Sequence, residues 1–388
     1  MSELRTIEIS GPPRERGRQY GEAVADLITQ AIEYYSGAFW TQVSRTWEEL
    51  RLEASRWLPL CEATAPELVE EMRGIAEGAG RELLDILLLN LRGEIIYDAE
   101  SRPTTEPDAH VEGCTSFALF DQAAGDGHVY AGQNWDWRAG AAPTVMILRI
   151  KQDPLPTITM QVEAGQIGRH GANSAGIALN ANGLGGRFGS GLGLPQTFIR
   201  RLVLNQAELS DALNTLFRLP THISSNTLIT YRGGFAIDVE STPEGHHSLE
   251  ADGGLLVHGN HYQGPLPSAL RTRYRPVSVD SLYRVPRTIR GLREAANRVT
   301  PEAVRAVIHE SMSDHLGFPE SVCTHPDTRR PLVRQWATLL SSCVDLTSGE
   351  YRVSAGTPCA NDYTLLPWNL LDGPGSAFAI PPTSRRSQ

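Results

Sequence analysis

The chain has 388 residues, of which 40% are hydrophobic and 21% charged, so it can bury a large core in one big domain or two ordinary ones. Its formal net charge of −10 argues against a general nucleic-acid-binding protein. Lys151 is the only lysine, which excludes a G-x-x-x-x-G-K-[ST] phosphate loop and an S-x-x-K hydrolase motif.

The cysteines and the N-terminus indicate the compartment. Five cysteines, an odd number without a C-x-x-C pair, do not form the pattern of a disulfide framework. The N-terminus has no apolar signal core, and no apolar run approaches the roughly 18 residues that a membrane helix requires. We therefore expect a cytoplasmic protein with reduced thiols that binds neither membrane nor nucleic acid.

The first quarter of the chain predicts helices and then a linker. Apolar residues three and four positions apart run through residues 15–98, as on the buried face of amphipathic helices. Residues 99–113 contain two prolines, several carboxylates and no periodicity. This composition predicts an exposed linker.

After the linker the pattern changes to short strands. Strand-like runs occupy residues 115–121, 128–137, 144–150, 157–163 and 176–182, and hairpins are expected at 226–241 and 336–356. Helical spacing after a proline predicts helices at 195–218 and 301–312. Strands paired through hairpins, with helices on their faces, predict an α+β fold built on antiparallel sheets.

Cys114 lies between the linker and the first strand, directly after Gly113. A lone cysteine is most often a small packed side chain. Here, however, Gly113 has no side chain to block attack on its carbonyl carbon, and a strand would hold the thiol beside a flexible segment. The thiol could attack that carbonyl, form a thioester and let water release the upstream chain. The new α-amino group, with an ordinary pKa of about 7.7–8.0, would then act as general base toward its own thiol.

Further motifs follow this cysteine in a fixed order. They are "GCTS" (113–116), "GQNWDW" (132–137), "GQIGRHGANSAGIALNANGL" (165–184), "HGNH" (258–261) and "WATLLSSCVDL" (336–346). Together they resemble the acyl-coenzyme A:6-aminopenicillanate acyltransferase family, also called the C45 peptidases, within the N-terminal nucleophile (Ntn) hydrolases. The resemblance implies an αββα sandwich of antiparallel sheets with a helical N-terminal segment. It also implies one integrated domain in which residues 1–113 become an α chain that stays associated with the catalytic β chain, residues 114–388.

The resemblance also implies roles for individual residues. Self-cleavage is expected between Gly113 and Cys114, with Cys114 as the nucleophile. Asp136 matches the aspartate that orients the new N-terminus, since a nearby carboxylate fixes an ammonium group and raises its pKa. Asn260 matches the asparagine that donates to the oxyanion, a contact worth roughly 3–4 kcal/mol of barrier in comparable sites. Outside the resemblance, Asp136 could cap a turn and Asn260 could satisfy backbone groups in a loop.

The sequence departs from the family pattern at two arginine positions. Related bile-salt and penicillin V hydrolases carry arginine where this chain has Gln133, which places the chain nearer the acyltransferase branch. Gln335 stands where the family arginine precedes its "GATL" segment, and Arg334 lies one residue off, a shift that turns a strand side chain to the opposite face. We include Gln133, Asn134 and Arg334 among the expected substrate-binding residues.

Neither the histidines nor the arginine-rich stretch predicts a cofactor. Histidines 246, 247, 258 and 261 lack H-E-x-x-H or a paired Cys/His arrangement, so we expect no metal; His258 and His261 are expected to shape the pocket around Asn260. Residues 271–293 are rich in arginine. Such a stretch favours a solvated face with salt bridges, and it could also hold the phosphates of coenzyme A.

The first functional hypothesis is a cysteine amidohydrolase or acyltransferase. It would cleave a small N-acyl compound, or transfer its acyl group, through a Cys114 thioester without a cofactor, and a coenzyme A thioester is a possible second acyl donor. One alternative is a coenzyme A-dependent N-acyltransferase proper. Another is an uncleaved, non-catalytic binding protein on the same fold, with Cys114 simply packed. The acyl group, its acceptor and the oligomeric state are not visible in the sequence.

Overall fold

The N-terminal part of the chain folds as one strand followed by seven helices. The computed structural model describes residues 4–100, 113–186, 191–272 and 274–375, and the predicted linker at 99–113 lies almost entirely outside them. In chain order the elements are β1 (Arg5–Ser10), α1 (Pro13–Ala23), α2 (Ala25–Val43), α3 (Trp47–Ala54), α4 (Leu58–Thr64), α5 (Pro66–Ala79), α6 (Leu83–Asn90) and α7 (Arg92–Glu100). The helical prediction for this part is therefore confirmed, and β1 is an addition to it.

Helices α1 and α5 touch backbone to backbone. A Cβ atom added at Gly17 would lie 2.0 Å from the carbonyl oxygen of Glu71, and one added at Gly74 would lie 2.0 Å from that of Arg14. Only glycine permits such an approach, and a second pair, Gly21 and Gly78, repeats it one turn further along.

The rest of the chain alternates short strands with a few helices. In chain order these are β2 (Gly113–Leu119), β3 (Tyr130–Arg138), β4 (Val145–Gln152), β5 (Leu155–Glu163), β6 (His170–Asn173), β7 (Ile177–Gly183), α8 (Gln196–Leu204), α9 (Leu209–Arg218), β8 (Ser225–Tyr231), β9 (Phe235–Thr242), β10 (Gly245–Glu250), β11 (Leu255–His258), α10 (Ser281–Leu292), α11 (Pro301–Met312), β12 (Trp336–Asp345), β13 (Tyr351–Ala355) and β14 (Thr364–Leu365). Both predicted hairpins are present, as β8–β9 and β12–β13.

The helix predicted over residues 195–218 is divided into α8 and α9. The amide nitrogen of Asn173 donates to the carbonyl oxygens of Leu204 and Gln206, at 2.9 and 2.8 Å. This buried side chain satisfies carbonyls that a continuous helix would use itself, so it ends α8. The sequence did not reveal this break, because apolar residues have helical spacing on both sides of it.

The strands form two sheets with helices outside them. The first sheet has the order β1-β4-β5-β6-β7-β8-β9-β10 and the second β11-β2-β3-β12-β13-β14. β2 and β3 contact β7 across the interface, α8 lies on β6 and β7, and α10 lies on β11 and β2. The predicted αββα sandwich is confirmed, except that β1 pairs with β4 in parallel. Among the described residues, no helix is long and apolar enough to cross a bilayer.

The two faces of strand β2 pack against different layers of the fold. Cys114 and Ala118 belong to the core between the sheets, whereas Phe117 and Leu119 belong to the core beneath α10 and α11. This alternation follows from the two-residue repeat of a strand. The thiol of Cys114 therefore points between the sheets, and the side chain that follows it points toward α10.

A buried ion network joins the N-terminal helices to the sandwich. Both carboxylate oxygens of Glu71, on α5, accept from the guanidinium of Arg201, on α8, at 2.8 and 2.9 Å, and Arg16 adds a further bond. Glu71 and Arg201 are fully buried. Burial raises the pKa of Glu71, but Arg201 and Arg16 outweigh it and hold the pKa below its ordinary value.

Replacing Glu71 with alanine is expected to lower the free energy of unfolding by about 3–5 kcal/mol, because two guanidinium groups would remain buried without their carboxylate. Urea unfolding measures the change. The matched control is Glu70→Ala, which removes exposed pairs with Arg14 and Arg73 and should lower the free energy of unfolding far less. Equal small losses in the two variants would contradict the assignment of this network as the link between the segments.

Candidate active site

The backbone of Cys114 is held on both sides by buried polar groups. Its N–H donates to Oδ1 of Asn260 at 2.7 Å, and its carbonyl oxygen accepts from Nη1 of Arg284 at 2.6 Å. Nη2 of Arg284 donates to the same Asn260 oxygen at 2.8 Å. Cys114 itself is 1% exposed. The arrangement fixes the position of the thiol and of the peptide bond before it.

Asn260 is positioned by the start of helix α10. Its backbone N–H donates to Oγ of Ser281 at 2.6 Å. A Cβ atom on Gly259 would lie 2.4 Å from that hydroxyl oxygen, which explains the glycine in "HGNH". On the other side, Nε2 of the buried His258 lies 3.0 Å from a carboxylate oxygen of Glu240. The two histidines thus support the asparagine, since His261 also contacts Ser281.

The amide nitrogen of Asn260 donates to the carbonyl oxygen of Gly183 at 3.2 Å. The amide orientation is determined, because its oxygen accepts from two donors, the Cys114 N–H and Arg284. An amide nitrogen carries two hydrogens, so one hydrogen of Asn260 remains after the bond to Gly183. Its role as a donor to the oxyanion stays a prediction.

Asn182 is a second amide near Cys114. Its Oδ1 accepts from Oγ of Ser116 at 2.7 Å, two residues after Cys114 on the same face of β2. Within the described residues, its buried Nδ2 has no hydrogen-bond partner. A buried donor without a partner is costly and suits an oxygen that carries negative charge only during a reaction. The motif ending in "NANGL" contained this residue, but no local pattern distinguished it from its neighbours.

Asp136 lies against Gly113, on the face of β3 opposite to the thiol. Its carboxylate oxygens accept from the hydroxyls of Thr338 at 2.6 Å and Thr324 at 3.1 Å. A Cβ atom on Gly113 would lie 3.4 Å from Oδ2 of Asp136. Burial raises the pKa of Asp136 to about 8, although Arg284 and the two hydroxyls oppose the shift. In the uncleaved chain this carboxyl group is therefore largely protonated at neutral pH.

This raised pKa predicts how the stability of the uncleaved chain depends on pH. The unfolded carboxyl ionises near its ordinary pKa of 3.8 and the folded one near 8, so unfolding releases a proton between those values. The free energy of unfolding should therefore fall as pH rises from about 4 to about 8, and then level off. Urea unfolding of Cys114→Ala should show this slope, and Cys114→Ala/Asp136→Asn should show less of it. Identical slopes would contradict the protonated state.

Arg284 is the site residue that sequence reasoning missed. It lies in the arginine-rich stretch that was interpreted as mainly solvated, yet it is fully buried. Besides its contacts with Cys114 and Asn260, its Nε donates to Asp280 at 2.6 Å and its Nη1 to Oγ1 of Thr115 at 2.7 Å. Burial lowers its pKa, but Asp280 and Asp136 outweigh burial and raise it. A permanent positive charge thus lies beside the candidate nucleophile.

Two of the three predicted substrate-binding residues, Gln133 and Asn134, lie on β3, which pairs with β2 beside Cys114. The amide of Gln133 bonds to the backbone of Ala181, joining the two sheets, and that of Asn134 donates to the carbonyl oxygens of Met312 and Val322. Arg334 is exposed and ends a short 3₁₀ turn. Gln133 and Asn134 thus bond to backbone groups of the protein, and their role in substrate binding stays a prediction. The arginine at Cys114 is Arg284.

A cavity of about 620 Å³ reaches one of the residues that bind Asp136. Thr338, which donates to the aspartate, lies in its wall, and most of the remaining wall is apolar, including Leu27, Val145 and Leu339. Its volume is within the range of small-molecule sites. The cavity can therefore receive a small apolar group.

Two solved enzyme structures are similar to part of this chain. A mutant of the conjugated bile acid hydrolase from Clostridium perfringens is 13% identical, with a TM-score of 0.42, covering 66% of this chain and 97% of that one. Penicillin V acylase from Agrobacterium tumefaciens is 16% identical, with a TM-score of 0.39, covering 62% and 83%.

Sequence comparison gives the stronger match. The 40 kDa form of acyl-coenzyme A:6-aminopenicillanic-acid-acyltransferase from Emericella nidulans is 31% identical over 258 residues, which are 66% of this chain and 68% of that protein. The family model of acyl-coenzyme A:6-aminopenicillanic acid acyl-transferase matches residues 123–356. The matched range contains Asp136, Asn182, Asn260 and Arg284. The chain therefore belongs to the acyl-coenzyme A:6-aminopenicillanic acid acyl-transferase family.

Proposed function

We propose that this chain is a self-processing enzyme whose Cys114 takes the acyl group of a small N-acyl compound as a thioester. Water or an amine then receives the acyl group. The observation that supports the proposal most strongly is the set of buried groups around the Gly113–Cys114 bond. Asp136 lies against Gly113, Asn260 accepts from the Cys114 N–H, and Arg284 binds both Asn260 and the carbonyl oxygen of Cys114. A buried carboxyl group with a strongly raised pKa beside a specific charged partner, as Asp136 is beside Arg284, is typical of functional sites.

Self-cleavage would begin with attack of the Cys114 sulfur on the carbonyl carbon of Gly113. The new carbon–sulfur bond replaces the carbon–nitrogen bond, and the nitrogen takes up the proton that the thiol has lost, to become the amino group of Cys114. Water then hydrolyses the thioester and leaves a carboxylate on Gly113. Asn260 already accepts a hydrogen bond from this nitrogen, so the new amino group stays in place. Its positive charge beside Asp136 would lower the pKa of that carboxyl.

The two fragments would remain one folded unit after cleavage. Strand β1 of residues 1–113 pairs with β4 of residues 114–388. Two buried carboxylates bridge the cleavage products as well: Glu71 binds Arg201, and Arg92 binds Glu163. Separating the fragments would expose these charges and break a central core, so we propose α and β chains of a single domain.

The largely apolar cavity that Thr338 lines supports a small substrate with an apolar acyl group. The Emericella nidulans relative is named for transfer of an acyl group from coenzyme A to 6-aminopenicillanic acid. We propose a coenzyme A thioester as a second class of acyl donor, with the phosphates contacting exposed arginines such as Arg271 and Arg275. A coenzyme A-dependent N-acyltransferase and an uncleaved binding protein are the two alternatives.

The test is a substrate screen with purified, processed enzyme. N-acyl amines of increasing acyl length are assayed for released amine, and acyl-coenzyme A donors are assayed for free thiol with and without an amine acceptor. Amine release in the absence of coenzyme A supports hydrolysis, and amine-dependent thiol release supports transfer. An unprocessed chain that is inactive with every donor and resists a thiol-directed acylating probe would support the binding protein and overturn the proposal.

A further inference from the structure

Four side chains of metal-binding types meet beside the 620 Å³ cavity, and one of them, His325, belongs to its wall. His315 follows α11, Cys323 and His325 lie in the segment before β12, and Cys359 lies between β13 and β14. One potential ligand atom from each lies within 4.8 Å of the other three. The residues come from segments that are distant in sequence, so the fold itself assembles the cluster.

The separations match a tetrahedral metal site. Nε2 of His325 lies 3.1 Å from Nε2 of His315, 3.6 Å from Sγ of Cys323 and 3.3 Å from Sγ of Cys359. With zinc–sulfur bonds of about 2.3 Å and zinc–nitrogen bonds of about 2.0–2.1 Å, a tetrahedron places nitrogens about 3.3 Å apart and nitrogen about 3.5 Å from sulfur. The observed values scatter around these numbers.

Hydrogen bonds alone do not account for the cluster. Nε2 of His325 has three close neighbours, but a neutral imidazole nitrogen carries either one hydrogen or one lone pair and can satisfy one of them. A cation at the centre would satisfy all four ligand atoms. Two thiolates would also balance the two positive charges of zinc, so the complex would carry no net charge.

We propose that His315, Cys323, His325 and Cys359 form a structural zinc site. All four coordination positions are taken by protein side chains, as in closed structural sites, and none is left for water or substrate. Tetrahedral sites with two sulfur and two nitrogen ligands favour zinc. The expectation of no metal considered His246, His247, His258 and His261, a different set.

The zinc site would secure the residue that holds Asp136. Thr324 lies between two of the ligands, its hydroxyl donates to Asp136, and its backbone exchanges bonds with Thr338. The cavity wall would gain the same support, because His325 and Thr357 belong to it. Any effect of zinc on turnover rests on the proposed function, whereas zinc binding and its effect on stability do not.

The test is the metal content of the full chain purified without a metal-affinity column. Elemental analysis should find about one zinc per chain, and cobalt replacement should give the visible and near-ultraviolet bands of a tetrahedral site with thiolate ligands. Cys359→Ser and His325→Ala should lose most of the zinc. His247→Ala, an exposed histidine outside the cluster, should retain it.

Thermal unfolding gives a second, independent test of zinc binding at this site. A chelator should lower the Tm of the unmodified chain by roughly 5 °C or more and change the Tm of Cys359→Ser much less. Zinc-free protein that binds no cobalt would overturn the proposal. So would a peptide map with Cys323 and Cys359 joined in a disulfide, since both thiols would then be unavailable.

Discussion

Replacing Cys114 with alanine should leave the chain in one piece and reduce acyl transfer by roughly 10⁴-fold or more, because the thioester forms on its sulfur. Denaturing gels and mass spectrometry report the cleavage, and release of amine or free thiol reports the activity. Folding should survive, since the change removes one sulfur atom at a site where Asn260 and Arg284 bind the backbone and not the side chain.

Cys61→Ala is the matched control. Cys61 is also fully buried, but it lies in α4, among the N-terminal helices. Its variant should be processed and active. If Cys114→Ala still separates between residues 113 and 114, the thiol is not the group that cleaves the chain.

Replacing Arg284 with methionine should have the second-largest effect. The change leaves Asp280 and the oxygen of Asn260 buried without their charged donor, which should lower the free energy of unfolding by about 3–5 kcal/mol. It also frees the carbonyl of Cys114, so processing should slow even where the chain folds. Arg284→Lys keeps the positive charge but loses the two guanidinium nitrogens that bind Asn260 and Cys114 at the same time. This variant should be more stable than Arg284→Met and should still be processed slowly.

Arg287→Met is the control on the same helix. Its guanidinium bonds to Asp314 near the surface and is about one-third exposed, so processing should be close to normal. The measurement is the rate at which full-length chain disappears after cell-free synthesis. A rate for Arg284→Lys equal to that of Arg287→Met would contradict a role for Arg284 at the cleavage site.

The layers of the fold were predictable because their signals are local. Alternating apolar residues marked β2 and β3, and glycine turns marked the hairpins β8–β9 and β12–β13. The parallel partner of β1 was not predictable. Residues 5–10 alternate like a strand, but nothing in them indicates pairing with β4, which lies well over one hundred residues later.

The candidate site was predictable only in part, because contacts between residues that are distant in sequence leave no local signal. Cys114, Asp136 and Asn260 were found through motifs. Arg284 was missed because a run of arginines usually marks a solvated surface, although Ser281, Arg284 and Thr288 recur at the spacing of one helix face and are all buried. The cluster of His315, Cys323, His325 and Cys359 depends on contacts across long loops, and its only local signal was "CTH" at 323–325.

The most direct test of the central role of Cys114 is the intact mass of the purified enzyme, stopped with acid during turnover. We predict two chains, residues 1–113 and residues 114–388, with the acyl group of the substrate attached to the N-terminal cysteine of the second. A single chain of 388 residues without an adduct, from enzyme that is turning over its substrate, would contradict this role.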